Sequence, residues 1–283
     1  LLCYNSFAEK VFFTNSGTES IECGIKVVKS FHHHNKNLQK TEIITFDGAF
    51  HGRTFGALSA QQNKKYSEGF EPLLSGFIKL PFNDLKTIKQ KVSEKTAAIM
   101  IEPIQGEGGI RPVSLSVMEE LRKICDDVGA LLFFDEVQSG FGRSGKLFAY
   151  EWSKIEPDLI AVAKGIGSGF PLGACLATNK ASIGMKQGIH GSTYGGNFLA
   201  MAVGTAVVNE IMSDGFLKNV DSIARYLWEE LKKLQNIYDE IVEVRGAGLL
   251  LGIKTKQNNL KVSKLFMENG LLTIPAGDNV IRI

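Results

Sequence analysis

The sequence predicts an α/β fold built on a mostly parallel β-sheet that is flanked by helices. Apolar runs of strand length recur along the first part of the chain, and segments with helical spacing separate most of them. Polar or charged residues follow directly after these runs. Because the carboxyl ends of parallel strands lie at one edge of a sheet, we expect a ligand-binding crevice at that edge.

Four or five parallel strands are expected in this part of the chain. Their apolar runs are 11–13, 42–46, 97–101, 130–134 and 159–163. A helix is expected after the first run, over 84–95, and before the fourth run. The first and third of these helices begin with the S-x-x-E spacing of a capping box, at Ser16 and Glu19 and at Ser116 and Glu119.

The C-terminal part of the chain predicts a smaller α+β unit. Its expected elements are helices at about 199–212 and 216–235, strands at 241–244 and 249–253, a short helix and a final run at 271–283. We therefore expect a large domain over 1–200 and a smaller, incomplete domain over 201–283. The chain starts without methionine and stops inside the strand-like run NVIRI, so we interpret it as a fragment cut at both ends.

Composition and charge argue against several classes of protein. The 32 basic and 30 acidic residues nearly cancel, and a net charge of +2 does not predict binding to nucleic acid or to an anionic membrane. No apolar run has membrane-spanning length, and we expect no signal peptide. Cys3, Cys23, Cys125 and Cys175 form no CxxC pair, which favours a reduced, cytoplasmic setting.

Neither a metal site nor a nicotinamide site is expected. His32, His33 and His34 are adjacent in sequence, so they cannot share one helix face as metal ligands, and we expect them at a solvated helix end. A nicotinamide-dependent dehydrogenase is disfavoured because no G-x-G-x-x-G links the first strand to the first helix.

The stretch around Lys164 carries the strongest chemical signal. Lys164 directly follows the apolar run 159–163, and the glycines and proline over 165–173 exclude a continuing helix or strand. A lysine buried there must pair with an acid, lose its proton or react, and a desolvated lysine is the usual amine of a protein Schiff base. The alternative is a lysine that reaches solvent through the glycine turn, and this stretch alone does not decide between the two.

Other chemical groups follow other expected strands. Ser16, Gly17 and Thr18 form a small polar turn at a helix N-terminus, where backbone N–H groups can bind an anion; an ordinary cap without a ligand gives the same pattern. The loop 47–54 presents an aromatic residue, a histidine and an arginine between glycines. Asp135 ends a fully apolar strand, and a carboxylate there needs a cationic or hydrogen-bonding partner.

One ligand would account for these features together. A phosphate would lie at residues 16–18, Asp135 would pair with a protonated ring nitrogen, and Lys164 would condense with an aldehyde. Phe50 and Val137 would cover the two faces of the ring. The ligand with these groups is pyridoxal 5'-phosphate (PLP), whose protonated ring stabilises a carbanion.

Six motifs extend over nearly the whole chain. They are FFTNSGTES (12–20), GAFHGRT (48–54), IEPIQGEGG (101–109), FFDEVQSGFGRSG (133–145), AVAKGIGSGFPLGA (161–174) and HGSTYGGN (190–197). This set, which is highly specific, resembles the class III, ornithine-type aminotransferases, PLP enzymes of fold type I. One departure is Phe198, which stands where the family usually has proline.

The resemblance implies roles for individual residues. Lys164 is implied to be the Schiff-base lysine and the proton carrier, and Asp135 its partner in catalysis at the ring nitrogen. The residues implied to hold PLP are Ser16, Gly17, Thr18, Phe50, His51, Asp135, Val137, Gln138, Lys164, Ser192 and Thr193. Those implied to bind substrate are Arg53, Glu102, Glu107 and Arg282, with Glu107 able to pair with Arg282.

The resemblance also implies transamination between an amino acid and a 2-oxo acid. N2-acetyl-L-ornithine and 2-oxoglutarate are the favoured pair, and ornithine, 4-aminobutyrate or succinyl-diaminopimelate are alternative donors. Thr193 is implied to reach the phosphate of a neighbouring subunit, which makes the enzyme a homodimer with shared active sites. A binding protein that kept the fold but lost the chemistry is disfavoured, because Lys164 and Asp135 are both present.

Overall fold

The computed structural model describes residues 1–61 and 63–283. The strands within these ranges are β1 (Lys10–Thr14), β2 (Glu42–Phe46), β3 (Phe77–Leu80), β4 (Thr96–Ile101), β5 (Ile104–Gln105), β6 (Arg111–Pro112), β7 (Leu131–Asp135), β8 (Leu159–Val162), β9 (Gly173–Ala177), β10 (Ile241–Ala247), β11 (Leu250–Thr255), β12 (Ile274–Ala276) and β13 (Val280–Arg282). The α-helices are α1 (Gly17–His34), α2 (Phe55–Ser59), α3 (Lys64–Ser67), α4 (Leu85–Lys91), α5 (Leu115–Val128), α6 (Phe198–Ile211), α7 (Phe216–Ile237) and α8 (Asn259–Glu268).

The central sheet has the strand order β1-β9-β8-β7-β4-β2-β3 in the described part of the chain. Neighbours from β8 to β3 are parallel, whereas β9 is antiparallel to both β8 and β1. The predicted mostly parallel sheet is therefore confirmed. The sequence does not predict β3, which is short and only partly buried, or β9, whose small residues continue the composition of the preceding turn.

Alternate residues of the central strands face two hydrophobic layers. Phe133 and Ala161 belong to the layer under α1 and α2, whereas Phe134 and Ile160 belong to the layer under α5 and α6. All residues of β8 are fully buried, as its uninterrupted apolar run predicts. The sheet is thus fixed on both faces, and its carboxyl edge is held in place beneath the site.

The predicted site residues lie at this carboxyl edge. Glu102 follows β4, Asp135 ends β7, and Lys164 comes two residues after β8. The β1–α1 turn reaches the same edge, because two successive antiparallel pairings through β9 make β1 parallel to β8. The strands therefore bring together residues that are far apart in sequence.

A second, antiparallel sheet has the order β10-β11-β13-β12 and packs against α7 and α8. It places Arg282 at the end of β13, beside the turn that follows β5. The Gly277 N–H donates to the Glu107 carbonyl at 2.8 Å and connects the two parts of the molecule. The domain boundary expected at residue 200 stays a prediction.

Several local predictions about helices are wrong. Ser114, rather than Ser116, caps α5, because its Oγ accepts a hydrogen bond from Val117 N at 3.3 Å. Helix α4 ends at Lys91, four residues before its expected end. His32 is buried, with Nε2 lying 2.8 Å from the Ala97 carbonyl oxygen, so only the two histidines after it are exposed. Within residues 1–61 and 63–283, no helix has the length and apolar character needed to cross a membrane.

Candidate active site

A cavity of about 470 Å³ opens at the carboxyl edge of the central sheet. Its walls come from the β1–α1 turn and from the segments that follow β2, β4, β7 and β8. The predicted site residues that line it are Ser16, Gly17, Thr18, Phe50, His51, Arg53, Glu102, Asp135, Val137, Gln138 and Lys164. The structure therefore brings most of the predicted site together around one space.

Lys164 begins the loop between β8 and β9. Its backbone has a φ of +46°, in the left-handed region that residues other than glycine rarely adopt. The side chain is accessible from the cavity, in contrast to a lysine enclosed in the sheet. The cavity walls still remove water from the amine, and this desolvation lowers the pKa of Lys164; Asp135 opposes the shift and Arg282 adds to it.

Asp135 is buried, and both of its carboxylate oxygens accept hydrogen bonds. Oδ1 accepts from Val137 N at 3.0 Å, and Oδ2 lies 2.7 Å from Nδ1 of His51. Burial alone would lower the pKa of His51, but its hydrogen bond and charge interaction with Asp135 raise that pKa overall. The other ring nitrogen, Nε2, is buried without a hydrogen-bond partner among the described residues. Carboxylate oxygens have further lone pairs, so Asp135 can also pair with a cation in the cavity.

Glu102 is buried beside Phe50. Its Oε2 accepts from Phe50 N at 3.0 Å, and its Oε1 accepts from Gly106 N at 3.4 Å. Burial raises the pKa of Glu102 to about 8, although the charge of His51 opposes this. Glu102 therefore connects the backbone of Phe50 to the turn that carries Glu107.

The N-terminus of α1 presents free donors to the cavity. Ser16 Oγ accepts a hydrogen bond from Glu19 N at 3.4 Å, and Glu19 Oε2 accepts one from Asn15 N at 2.6 Å. The N–H groups of Gly17 and Thr18 have no acceptor in the described part of the protein. A Cβ at Gly17 would lie 2.8 Å from a Val137 side-chain carbon, so glycine allows this turn to pack closely against Val137.

The Thr18 hydroxyl is directed at the loop that carries Arg53. Its Oγ1 accepts from Arg53 N at 3.3 Å and lies 3.0 Å from the Thr54 hydroxyl, which in turn donates to Glu22 on α1. Glu22 also accepts from Gly56 N at 2.9 Å. These contacts fix the backbone of Arg53 to the first turn of α1.

The Arg53 side chain packs on aromatic rings. Its Cζ atom lies 3.9 Å from the ring centroid of Tyr66 and 5.5 Å from that of Phe50. The two rings meet edge to face, with centroids 5.7 Å apart. In contrast to Arg282, Arg53 takes part in no ion pair among the described residues.

Arg282 is held by two acceptors. Its Nη1 donates to Oε1 of Glu107 at 2.9 Å and to Oε1 of Gln138 at 2.8 Å. The Arg282 side chain is 14% exposed and that of Glu107 is 32% exposed. One charged and one neutral acceptor therefore hold Nη1 of a guanidinium that lies next to the cavity.

Ser192 and Thr193 do not line the cavity of their own chain. Both are exposed, and Ser192 Oγ accepts from Asn15 Nδ2 at 3.2 Å. Lys26 Nζ donates to the Ile189 carbonyl at 2.7 Å and fastens the same loop to α1. The loop thus lies beside the β1–α1 turn with Thr193 directed outward, and its contact with a neighbouring subunit stays a prediction.

The residues around the cavity fit PLP. Two unpaired N–H groups at a helix N-terminus suit a phosphate, and a buried carboxylate suits a cationic ring nitrogen. Phe50 and Val137 provide apolar surface between these groups, and the accessible amine of Lys164 suits an aldehyde.

A mostly parallel sheet with this donor set at its carboxyl edge is the arrangement expected of a PLP-dependent enzyme of fold type I. Residues 2–283 match the family described as aminotransferase class-III. The chain belongs to this family.

Three relatives show how near the similarity is. Acetylornithine aminotransferase of Mesorhizobium japonicum is 50% identical over 279 residues, which are 98% of this chain and 70% of that protein. N-acetylornithine aminotransferase of Stenotrophomonas maltophilia is 33% identical with a TM-score of 0.84, over 100% of this chain and 71% of that one. Ornithine aminotransferase of Toxoplasma gondii, with partial PLP occupancy at its active site, is 26% identical with a TM-score of 0.93. The match covers 100% of this chain and 69% of that one. These comparisons confirm the predicted family, fold and cofactor.

Sequence reasoning missed Glu22, Thr54 and Tyr66. Thr54 ends the motif GAFHGRT and Glu22 lies two residues after FFTNSGTES, so the sequence indicates their loops but not their contact with each other. Tyr66 lies in a polar segment with no periodicity, and only the tertiary contact with Arg53 indicates its place in the site.

Proposed function

We propose that this chain transfers an amino group from N2-acetyl-L-ornithine to 2-oxoglutarate, giving N-acetylglutamate 5-semialdehyde and L-glutamate, as a step of arginine biosynthesis. Relatives that are 50% and 51% identical and are named acetylornithine aminotransferase support this substrate pair. The observation that carries the proposal is that Lys164 and Asp135 line one cavity with the free N-terminus of α1.

The cofactor would be held by groups already in position. Gly17 and Thr18 would bind its phosphate through their N–H groups, while Phe50 and Val137 would enclose its ring. When bound, PLP supplies a cationic ring that accepts electrons from the substrate carbon as that carbon loses its proton. Asp135 would keep the ring nitrogen charged, and the 2.7 Å contact with His51 holds the carboxylate in place.

Lys164 would carry the proton. A lysine with an ordinary pKa is almost fully protonated at neutral pH and is a poor base. Desolvation lowers the pKa of Lys164, so a larger fraction of the amine is neutral and can accept a proton at Nζ. Access from the cavity allows the amine to reach the substrate.

Arg53 and Arg282 would bind the carboxylates of the substrates. Glutamate would place one carboxylate on Arg53 and the other on Arg282, whereas acetylornithine has a single carboxylate for Arg53. Arg282 would then keep Glu107 as its partner, and Glu107 would move aside for glutamate. The 2.9 Å ion pair between Glu107 and Arg282 supports this exchange.

We further propose a homodimer in the cytoplasm. The exposed apolar side chains at the start of α6, such as Phe198 at 95% exposure, and the outward position of Thr193 support a subunit interface beside the cavity. Free cysteines, three of them buried, support a reducing compartment.

The proposal is tested by trapping the cofactor on Lys164. Borohydride reduction of the PLP-loaded protein, followed by peptide mapping, should place the covalent label on Lys164, and Lys164→Ala should take up no label and transfer no amino group. Exposed Lys218→Ala is the matched control. A label on a different lysine would refute the assignment.

The amino donor is tested separately. The same preparation is given acetylornithine, ornithine, 4-aminobutyrate and succinyl-diaminopimelate, each with 2-oxoglutarate. We expect the highest kcat/KM with acetylornithine. A higher value with any other donor would assign the chain to that substrate and leave the role of Lys164 intact.

A further inference from the structure

We propose that Tyr66 is a positioning residue that holds the Arg53 guanidinium ready for the substrate carboxylate. The proposal rests on the proposed function, in which Arg53 binds a carboxylate of every substrate. It adds a residue that belongs to none of the motifs and that contacts the site only through tertiary structure.

The backbone and the side chain of Arg53 are held differently. The backbone is fixed through Thr18 Oγ1, at 3.3 Å from Arg53 N. The side chain has no carboxylate partner among the described residues and is exposed, so only aromatic contacts restrict its rotamers. The nearer contact is with Tyr66, whose ring centroid lies 3.9 Å from Cζ.

Stacking on a ring suits a guanidinium that must bind an anion. A cation at this distance is attracted to the face of the ring, and the contact leaves the N–H groups in the guanidinium plane free. Those N–H groups form the fork that binds a carboxylate with two parallel hydrogen bonds. An acidic partner would compete for these N–H groups, as Glu107 does at Nη1 of Arg282.

Tyr66 is itself held against the site. Its ring meets Phe50 edge to face at 5.7 Å and an angle of 84°, and Phe50 is fixed by the hydrogen bond from its N–H to Glu102. A guanidinium seated on this ring is ordered before the substrate arrives, so less rotamer freedom is lost on binding. We therefore expect Tyr66 to affect substrate binding rather than the chemical step.

The test compares Tyr66→Leu with Tyr66→Phe in the PLP-loaded enzyme. Tyr66→Leu should raise KM for glutamate and for 2-oxoglutarate about fivefold, equivalent to about 1 kcal/mol, and should leave kcat within about twofold. The dissociation constant of glutarate, a dicarboxylate without an amine, should rise to the same extent in titration calorimetry. Tyr66→Phe keeps the ring face and should restore both values.

Controls separate this role from general damage. Tyr226→Leu removes a tyrosine that is 66% exposed on α7 and should leave KM at the wild-type value. If Tyr66→Leu fails to fold by circular dichroism, Tyr66→Met supplies the same comparison. An unchanged KM, or a loss confined to kcat, would overturn the proposal, whereas loss of the proposed function itself would appear as an inactive wild-type enzyme.

Discussion

The acidic and the basic side chains of the cavity differ in how they are held, and they lie on two walls, one buried and one open. On the buried wall, each carboxyl oxygen of Asp135 and Glu102 accepts one hydrogen bond from His51 or from a backbone N–H group. On the open wall, Arg53 and Lys164 have no ion-pair partner among the described residues and are accessible. The comparison indicates that the acids are fixed in advance to set the local electrostatics, whereas the cations are left free for ligands.

Breaking the buried wall should have the largest effect. Asp135→Asn keeps the size of the side chain but removes its charge, so the protein should still bind PLP. Its turnover should fall by about 10²- to 10³-fold, as expected for the loss of one preorganised electrostatic group. The measurement is single-turnover absorbance of the half-reaction with glutamate. Near-normal turnover would remove Asp135 from the mechanism.

A second copy of the chain should contribute Thr193 to the phosphate site of its neighbour. Thr193→Asp should repel a phosphate in a neighbouring subunit and inactivate the enzyme, and Lys164→Ala should inactivate it by removing the amine. Random mixing of these two inactive chains should restore about a quarter of wild-type activity, since half the dimers are mixed and each has one intact site.

The state of assembly must be checked in the same samples. Mixed chains that stay inactive while both variants remain dimeric by light scattering would exclude the contact between subunits.

Glu107, the ion-pair partner of Arg282, should produce a smaller, selective effect. Glu107→Ala should slow the acetylornithine half-reaction about 10- to 100-fold more than the glutamate half-reaction, because Arg282 is left without its charged partner. The expected penalty, about 1.4–2.8 kcal/mol, is below the usual 3–5 kcal/mol for an unpaired buried charge, since Gln138 still accepts from Arg282 at 2.8 Å. Equal losses in both half-reactions would show that Glu107 does not discriminate between them.

The last prediction concerns the pH dependence of stability rather than the rate of the reaction. Burial raises the pKa of Glu102 to about 8, so between about pH 4.5 and 8 the folded state binds a proton that the unfolded state has lost. This contribution to the free energy of unfolding is therefore present at low pH and is lost as the pH rises through about 8. Glu102→Gln keeps an oxygen acceptor for Phe50 N without titrating, so urea unfolding of the variant should depend less on pH.

A matched variant makes this prediction specific. Glu119→Gln replaces an exposed carboxylate on α5 and should keep the wild-type pH dependence. The same slope in all three proteins would show that Glu102 does not titrate differently in the folded state.

Local sequence patterns predict which residues belong to the site better than they predict how those residues are exposed or held. The apolar run of β7 ends in Asp135, and the apolar run 159–163 is followed directly by Lys164, so the identity of both residues follows from short segments. The accessibility of Lys164 does not follow, because it depends on the left-handed turn at that residue. His32 and Tyr66 show the same limit. The environment of His32 depends on a carbonyl on β4, and that of Tyr66 depends on the guanidinium of Arg53, and both partners are distant in sequence.

The antiparallel direction of β9 has a consequence for the speed of the reaction. Val162 on β8 pairs with Ala174 on β9, so the loop that presents Lys164 is anchored to the sheet at both ends. The backbone of Lys164 and the start of α1, where PLP would be held, are therefore parts of one frame, because β9 pairs with both β8 and β1. Well-oriented groups in such a frame react as if each were present at an effective concentration of about 10⁵–10⁸ M, which no free amine in solution can reach. The antiparallel strand β9 thus contributes to catalysis by restricting the positions that the Lys164 amine can take.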